Sequence, residues 1–223
     1  MKVIVFDLGG TLMQYVGMPD SWVNYYLSGF EAITQKYNCQ VQKNDVEKSI
    51  RILTDFNPRL NYREIEYSAE YIFSKVLEHW HIDMPIKHLI ETFWGGLRLR
   101  AEMYTDTINV LRNLKEKGCI IATLTDLPNG MSDEIFKKDI SHLLSYFDYY
   151  VSSATAGYRK PNIMGLQMIS DRFEVPVAEL IFVGDEKKDR ETANRASCKF
   201  IHIQRNAKTN GSISSLDELL EII

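Results

Sequence analysis

Apolar residues recur along this chain with two different periods, and the change of period divides it into parts. Val3-Ile4-Val5-Phe6 is an unbroken apolar run, mostly β-branched, which suits a strand buried on both faces of a parallel sheet. A carboxylate, Asp7, follows at once, and then Gly9 and Gly10 one residue further on. A charge there stands at the carboxyl end of a buried strand, where open α/β sheets bind their ligands. The glycines let the backbone turn tightly and bring its N–H and C=O groups close to such a ligand. The same pattern returns late in the chain, as Leu180-Ile181-Phe182-Val183-Gly184-Asp185. Two apolar strands that each end in an aspartate suggest two carboxylates converging on one metal ion.

Between the two strands the period first becomes helical. Trp22, Tyr26, Phe30, Ile33 and Tyr37 share one helix face, with Asp20 or Ser21 placed to cap it. A second helix is expected from Asn44, with Glu47 in capping-box position and Val46, Ile50 and Leu53 inward, ended by Asn57-Pro58. A third covers 63–80 along Ile65, Ala69, Ile72, Val76 and Trp80, and a fourth covers 86–94 and gives way at Gly95-Gly96. Four helices without an intervening strand predict a helical bundle inserted after the first strand, over 14–102.

An alternation of strand and helix then resumes. A helix over 107–117 stops at Gly118, and a buried strand over 119–124 ends in Thr125-Asp126. The turn Leu127-Pro128-Asn129-Gly130 leads to a helix over 132–144 and a strand over 149–152. A loop over 154–159 delivers Lys160, and Pro161 opens a helix over 163–173. The strand ending at Val183 is followed by a helix over 187–196, a strand over 200–203 and a terminal helix from Ser215. This rhythm predicts an α/β fold, a Rossmann-like doubly wound parallel sheet with the helical bundle as a cap. The core is then 1–13 and 103–223.

Composition narrows the class. A chain of 223 residues buries about 70–75% of its unfolded surface, enough for a substantial core. A net charge of −4 without any basic run argues against nucleic acid. Cys39, Cys119 and Cys198 lie far apart and form no zinc pattern, so they read as reduced thiols of a cytoplasmic protein. The chain enters a core strand directly and has no apolar run of membrane-spanning length, so neither signal peptide nor membrane association is expected.

Four segments together resemble the haloacid dehalogenase superfamily: Asp7-Leu-Gly-Gly-Thr11, Thr125 followed by Asp126 at a strand end, Gly157-Tyr-Arg-Lys160-Pro161, and Gly184-Asp185-Glu-Lys-Lys-Asp189. They occur in the family's order over nearly the full length. The resemblance implies a Mg²⁺-dependent phosphohydrolase that uses an aspartate nucleophile on a small phosphorylated metabolite, as a monomer or homodimer. This sequence departs from the family in carrying Gly9 where a second aspartate is usual, and Asp126 where asparagine is common.

On that reading Asp7 is the nucleophile, since a carboxylate can take a phosphoryl group and divide hydrolysis into two displacements. Asp7, Asp185 and the Gly9 backbone would hold Mg²⁺, which takes oxygen ligands. Thr125, Asp126, Lys160 and Gly10 would receive the phosphate, Thr125 through its hydroxyl and N–H and Lys160 as a point charge. Asp189, one helical turn beyond Asp185, would hold a metal-bound water or Lys160, although an acid there also suits a helix N-terminus. Tyr15 is a candidate substrate contact. His79 and His81, two residues apart on a helix, would point away from each other. Lys187-Lys188 reads as a solvated face. Two rival readings are a 2-haloacid dehalogenase, which needs no metal, and a weak or inactive binding protein that lacks the general acid at position 9.

Overall fold

The computed structural model describes residues 2–17, 22–205, 209 and 211–223. They form two compact units, one of Met1–Gln14, Ala101–Asp126 and Ile140–Ile223, the other of Tyr15–Arg100 and Leu127–Asp139. The strands are β1 (Val3–Phe6), β2 (Met13–Tyr15), β3 (Ala101–Met103), β4 (Ile120–Thr125), β5 (Tyr149–Ser152), β6 (Ile181–Gly184), β7 (Lys199–Ile203) and β8 (Ser212–Ile213). Six of them form one parallel sheet in the order β5-β4-β1-β6-β7-β8. Counted along the chain, these six run 3-2-1-4-5-6, the doubly wound order whose direction reverses between its first and fourth members. Here those members are β1 and β6, the strands that end in Asp7 and Asp185. The α/β expectation therefore holds. The sequence pattern did not show β8 or the ribbon of β2 and β3, because strands of two or three residues are too short to display a period.

Four helices make most of the second unit: α1 (Tyr26–Tyr37), α2 (Lys43–Asp55), α3 (Ala69–Val76) and α4 (Ile86–Gly96). The aromatic stripe is core, with Tyr26 and Phe30 buried and Phe93 against both Phe30 and Phe73 at centroid distances of 4.9 and 5.0 Å. Trp22 opens a 3₁₀ turn ahead of α1, and the expected caps Asp20 and Ser21 lie outside the described residues. The helix α2 begins at Lys43 behind an extended Gln42 that makes no side-chain cap, so the Asn44–Glu47 box does not form.

The third helix is much shorter than 63–80. Ser68 is extended and accepts the Tyr71 N–H at 3.1 Å, which starts α3 at Ala69. Upstream, the Arg63 side chain donates to the carbonyls of Phe56 and Ile65 and so stabilises a non-helical path. Downstream, buried Ser49 donates to the Val76 carbonyl at 2.9 Å, the group that a continuing helix would offer to the Trp80 N–H. Trp80 turns away, its backbone N–H on Leu77 and its indole on Ser49. His79 and His81 are therefore not on a helix, and His79 Nε2 instead lies 2.9 Å from the Asp45 carbonyl oxygen.

The helix α4 runs two residues past its expected bound and ends at Gly96. Gly96 lies at the crossing of α1 and α4, where a Cβ on it would stand 2.5 Å from Ala32 Cβ and one on Gly29 2.5 Å from the Phe93 ring. Glycine is needed because the two helix backbones approach closely.

In the sheet unit, α5 (Thr107–Glu116) follows β3, and the chain joins the helical unit again for α6 (Asp133–Asp139). The stretch Leu127–Asp139 groups with the helices because Asn129 donates to the Leu53 carbonyl and Gly130 accepts from the Trp94 indole, both at 2.9 Å. The expected helix over 132–144 is cut to α6 and a 3₁₀ turn over Leu144–Tyr146. Then come α7 (Ser153–Ala156), α8 (Met164–Phe173), α9 (Lys187–Ala196) and α10 (Leu219–Ile222). Val3 and Val5 pack with Leu124, Phe182, Leu166 and Ala193, so α8 and α9 cover the same sheet face. Ile4 and Phe6, pointing the other way, are also fully buried.

The two adjacent glycines of α4 should respond oppositely to one methyl group. Gly96→Ala meets Ala32 Cβ and the Ser28 carbonyl and should cost about 1–3 kcal/mol by overpacking. Gly95, whose Cβ would meet nothing within 4 Å, should gain roughly 0.5–1 kcal/mol as alanine through helix propensity. Urea denaturation midpoints of the two variants check the contrast.

Candidate active site

The strand order reverses between β1 and β6, and Asp7, Lys160 and Asp189, all buried, collect at the carboxyl ends of these strands. The Asp7 N–H donates to the Val183 carbonyl at 2.9 Å, carrying the β1–β6 pairing one residue past the strand. The chain then turns: the amides of Thr11, Leu12 and Met13 all point at the Leu8 carbonyl, and the Gly10 N–H meets the Met13 carbonyl at 2.8 Å. Gly10 has φ +78°, and a Cβ on it would lie 2.2 Å from Asp185 Oδ2. Both its conformation and its closeness to a carboxylate require glycine. Gly9, by contrast, is exposed, and a Cβ there would meet nothing within 4 Å.

Lys160 is the hub. Its ammonium is 2.8 Å from Asp7 Oδ1 and 2.6 Å from Asp189 Oδ1, and all three residues are buried. Asp189 reaches it from the first turn of α9, where its second oxygen accepts the Glu186 N–H at 2.9 Å. Asp7, Asp185 and Asp189 each place a carboxylate oxygen within 4.8 Å of the others. Burial pushes the Asp7 carboxyl up to about 8; Lys160 pulls it down and the charges of Asp189 and Asp185 push it up. Burial likewise raises Asp185 to about 6, with Asp189 and Glu186 adding to the rise. Burial works against the charge of Lys160, but Asp189, Asp7 and Asp126 hold its ammonium well above the usual lysine value.

Asp126 is held by cations. Its Oδ1 accepts the Lys160 backbone N–H at 3.0 Å, and its Oδ2 lies 3.0 Å from Lys188 Nζ and 4.0 Å from the Arg159 guanidinium. Burial alone would raise its carboxyl, but Lys188, Arg159 and Lys160 bring it down to about 2. Its carboxylate anchors the loop that presents Lys160. Thr125 ends β4, buried, in register with Ser152 of β5. Tyr15, in the helical unit, donates its hydroxyl to Asp139 at 2.7 Å.

Three further residues touch these carboxylates or their backbone. Lys188 is no solvated group: it bridges Asp126 and Glu186, the latter at 2.8 Å, while Lys187 alone is exposed. Thr11, fully buried, donates to Asp185 Oδ1 at 3.3 Å. His202 Nε2 is 3.0 Å from the Asp185 carbonyl oxygen, which can only accept. Thr11 was legible as part of the first motif, but nothing around His202 in the sequence marks it.

A family model described as haloacid dehalogenase-like hydrolase matches residues 4–203 of this chain. The chain belongs to that family. Among similar curated proteins, the phosphoglycolate phosphatase of Aliivibrio fischeri is 24% identical over 89% of this chain and 82% of its own length. The enolase-phosphatase E1 of Aquifex aeolicus is 22% identical over 100% of this chain and 99% of its own. Among solved structures, a HAD phosphatase from Thermococcus onnurineus superposes with a TM-score of 0.63 at 21% identity, covering 100% of this chain and 97% of that one. A dehalogenase superposes at 0.60 and 18% identity, covering 100% and 97%. These structures share the fold. Within the family frame, the Lys160 hub and the carboxylates at the strand ends lie in the motif segments of this hydrolase.

The Asp126 anchor gives a pH signature. Its carboxyl is lowered when folded, so the stabilisation it contributes is present above the unfolded value of 3.8 and disappears as pH falls through about 2. Asp126→Asn removes a carboxylate shared by Lys188, Arg159 and the Lys160 N–H and should cost about 1–3 kcal/mol at neutral pH. The variant should also lose the wild type's extra decline in stability between those two pH values. Urea titrations of both forms at several pH values check it.

Proposed function

We propose that this haloacid dehalogenase-like hydrolase is a Mg²⁺-dependent phosphatase that hydrolyses a small phosphorylated metabolite through an aspartyl-phosphate on Asp7. One observation carries the reading. Asp7 is held at the strand end by Lys160 while two further carboxylates stand within 4.8 Å. Three carboxylates facing one ammonium leave two negative charges uncompensated, and Asp7 and Asp185 are raised partly for that reason. This oxygen-only donor set fits Mg²⁺, with Asp7, Asp185 and the Gly9 backbone as its holders and Asp189 keeping Lys160 in place. When bound, the ion would neutralise charge on the phosphoryl group and return Asp7 to its ionised, nucleophilic form.

The chain's own groups then divide the work. An ionised Asp7 oxygen attacks phosphorus, and the leaving oxygen departs. Lys160, fixed between Asp7 and Asp189, offers its charge to the phosphoryl oxygens, and Thr125 and the Gly10 backbone add neutral donors. Asp126 serves by holding the Lys160 loop, its carboxylate already engaged by Lys188, Arg159 and the Lys160 N–H. Water attack on phosphorus releases phosphate and restores Asp7. The relatives that are phosphatases support this reaction class, and the acidic trio counts against a dehalogenase that needs no metal. The helical insertion over 14–102, which makes up most of the second unit, is proposed as the cap that selects substrate. Cytoplasmic residence is proposed too, supported by three free cysteines. Among the described residues no helix is long and apolar enough to cross a membrane.

Two measurements test the proposal. Turnover of p-nitrophenyl phosphate and 2-phosphoglycolate should require Mg²⁺ and should vanish in Asp7→Asn, whose amide is a poor nucleophile. Metal-independent turnover of either ester would overturn the metal assignment. Position 9 gives the sharper signature. With no acid at Gly9, kcat/KM should fall steeply from aryl to alkyl esters, because general acid catalysis is worth about 10²–10⁴-fold for a poor leaving group. Gly9→Asp has open space around its Cβ and should raise alkyl turnover far more than aryl turnover. A flat dependence on leaving-group pKa in the wild type would mean that another group supplies the proton.

A further inference from the structure

The turn that carries Gly9, Gly10 and Thr11 is held from behind by a charge pair outside the four motif segments. Arg205, just past β7, donates one guanidinium N–H to the Thr11 carbonyl. Its other terminal nitrogen lies 2.6 Å from Asp106 Oδ2. The same Asp106 oxygen accepts the Leu216 N–H at 2.8 Å and the Ser215 hydroxyl at 2.9 Å. The guanidinium is stacked 4.0 Å from the centroid of Tyr104, which fixes its plane. The side chains of Arg205 and Asp106 are only 12% and 8% exposed, so the pair is an internal strut. The next residue is secured in the same way, for the Leu12 carbonyl accepts from Thr107 Oγ1 at 2.7 Å and from the Tyr104 N–H at 3.2 Å.

The strut bears on the site through one residue. Arg205 holds the carbonyl of Thr11, and the hydroxyl of Thr11 donates to Asp185 Oδ1 at 3.3 Å. The neighbouring Gly10 lies so close to the Asp185 carboxylate that a Cβ on it would stand 2.2 Å from Oδ2, so a shift of the turn toward Asp185 collides with that carboxylate. We infer that Arg205, locked by Asp106, is a positioning residue that sets the carboxylate of Asp185 for divalent cation binding. The inference rests on the proposed metal reading of this site. Partners one bond removed from a metal's ligands, as Thr11 is from Asp185, change affinity by about 10–100-fold when lost, and Arg205, which acts through Thr11, is assigned the lower end of that range.

Two readouts test it on the full chain. In the first, Mn²⁺ affinity is measured by water-proton relaxation for the wild type, Arg205→Met, Arg205→Lys and Asp106→Asn. Arg205→Met should bind Mn²⁺ about tenfold more weakly, with Arg205→Lys between it and the wild type. Phosphatase activity should recover at high metal concentration, which a general folding defect would not allow. In the second, hydrogen exchange is followed without metal. The amides of Thr11, Leu12 and Met13 should exchange about tenfold faster in Arg205→Met, as expected for the loss of one hydrogen bond to a charged group, while β4 and β6 stay protected. If Arg205→Met does not fold, Arg205→Lys and Asp106→Asn carry both readouts. Unchanged loop exchange, or unchanged Mn²⁺ affinity beside a wild type that binds the ion, overturns the inference. A wild type that binds no divalent ion overturns the metal reading and the positioning role with it.

Discussion

One ammonium buried between two carboxylates is the constraint on which the site depends. Lys160 lies within 2.8 Å of Asp7 and 2.6 Å of Asp189, all three shielded from water. Charges taken out of water are tolerable only when each finds a partner, and the removal of one partner is far costlier than the pair's net worth. The three groups come from three separate chain segments: the end of β1, the loop before α8 and the first turn of α9. The doubly wound strand order is what brings those segments to one edge of the sheet. Fold and charge cluster therefore require each other. The sheet supplies the convergence, and the cluster fixes the loops that the sheet leaves free.

Around this hub the protein uses contacts that leave no room for adjustment. Gly10 lies against Asp185, and Gly184 similarly lies against Asp189, where a Cβ would be 2.6 Å from the carboxylate. Asp126 ties the Lys160 loop to α9 through Lys188. The arrangement is rigid, since its carboxylates are set by backbone and buried ion pairs rather than by mobile surface chains. Residual negative charge is the cost, and it shows in the raised carboxyls of Asp7 and Asp185.

Much of this was legible in the sequence, for identifiable reasons. Buried parallel strands write continuous apolar runs, so Val3–Phe6 and Ile181–Gly184 stand out, and the aspartates after them mark the ligand edge. The helix Lys187–Ala196 agreed with its expected bounds. Helix ends in the bundle were misread because tertiary contacts decide them. Ser49 takes the Val76 carbonyl, Arg63 takes carbonyls ahead of Ser68, and the Gly96 backbone nests against α1. The same holds for Lys188 and Arg205. A lysine beside another lysine looks solvated until a buried Asp126 appears opposite it, and no spacing rule joins Arg205 to Thr11 across 194 positions.

The central claim is that Asp7 becomes covalently phosphorylated during turnover. Acid quenching of the wild type with a phosphate-labelled ester in the presence of Mg²⁺, followed by borohydride reduction and peptide mass spectrometry, addresses it directly. The account predicts phosphate label on the amino-terminal peptide before reduction and, once borohydride has displaced that phosphate, conversion of Asp7 alone to homoserine. Turnover without label at Asp7, or label on another residue, would contradict it.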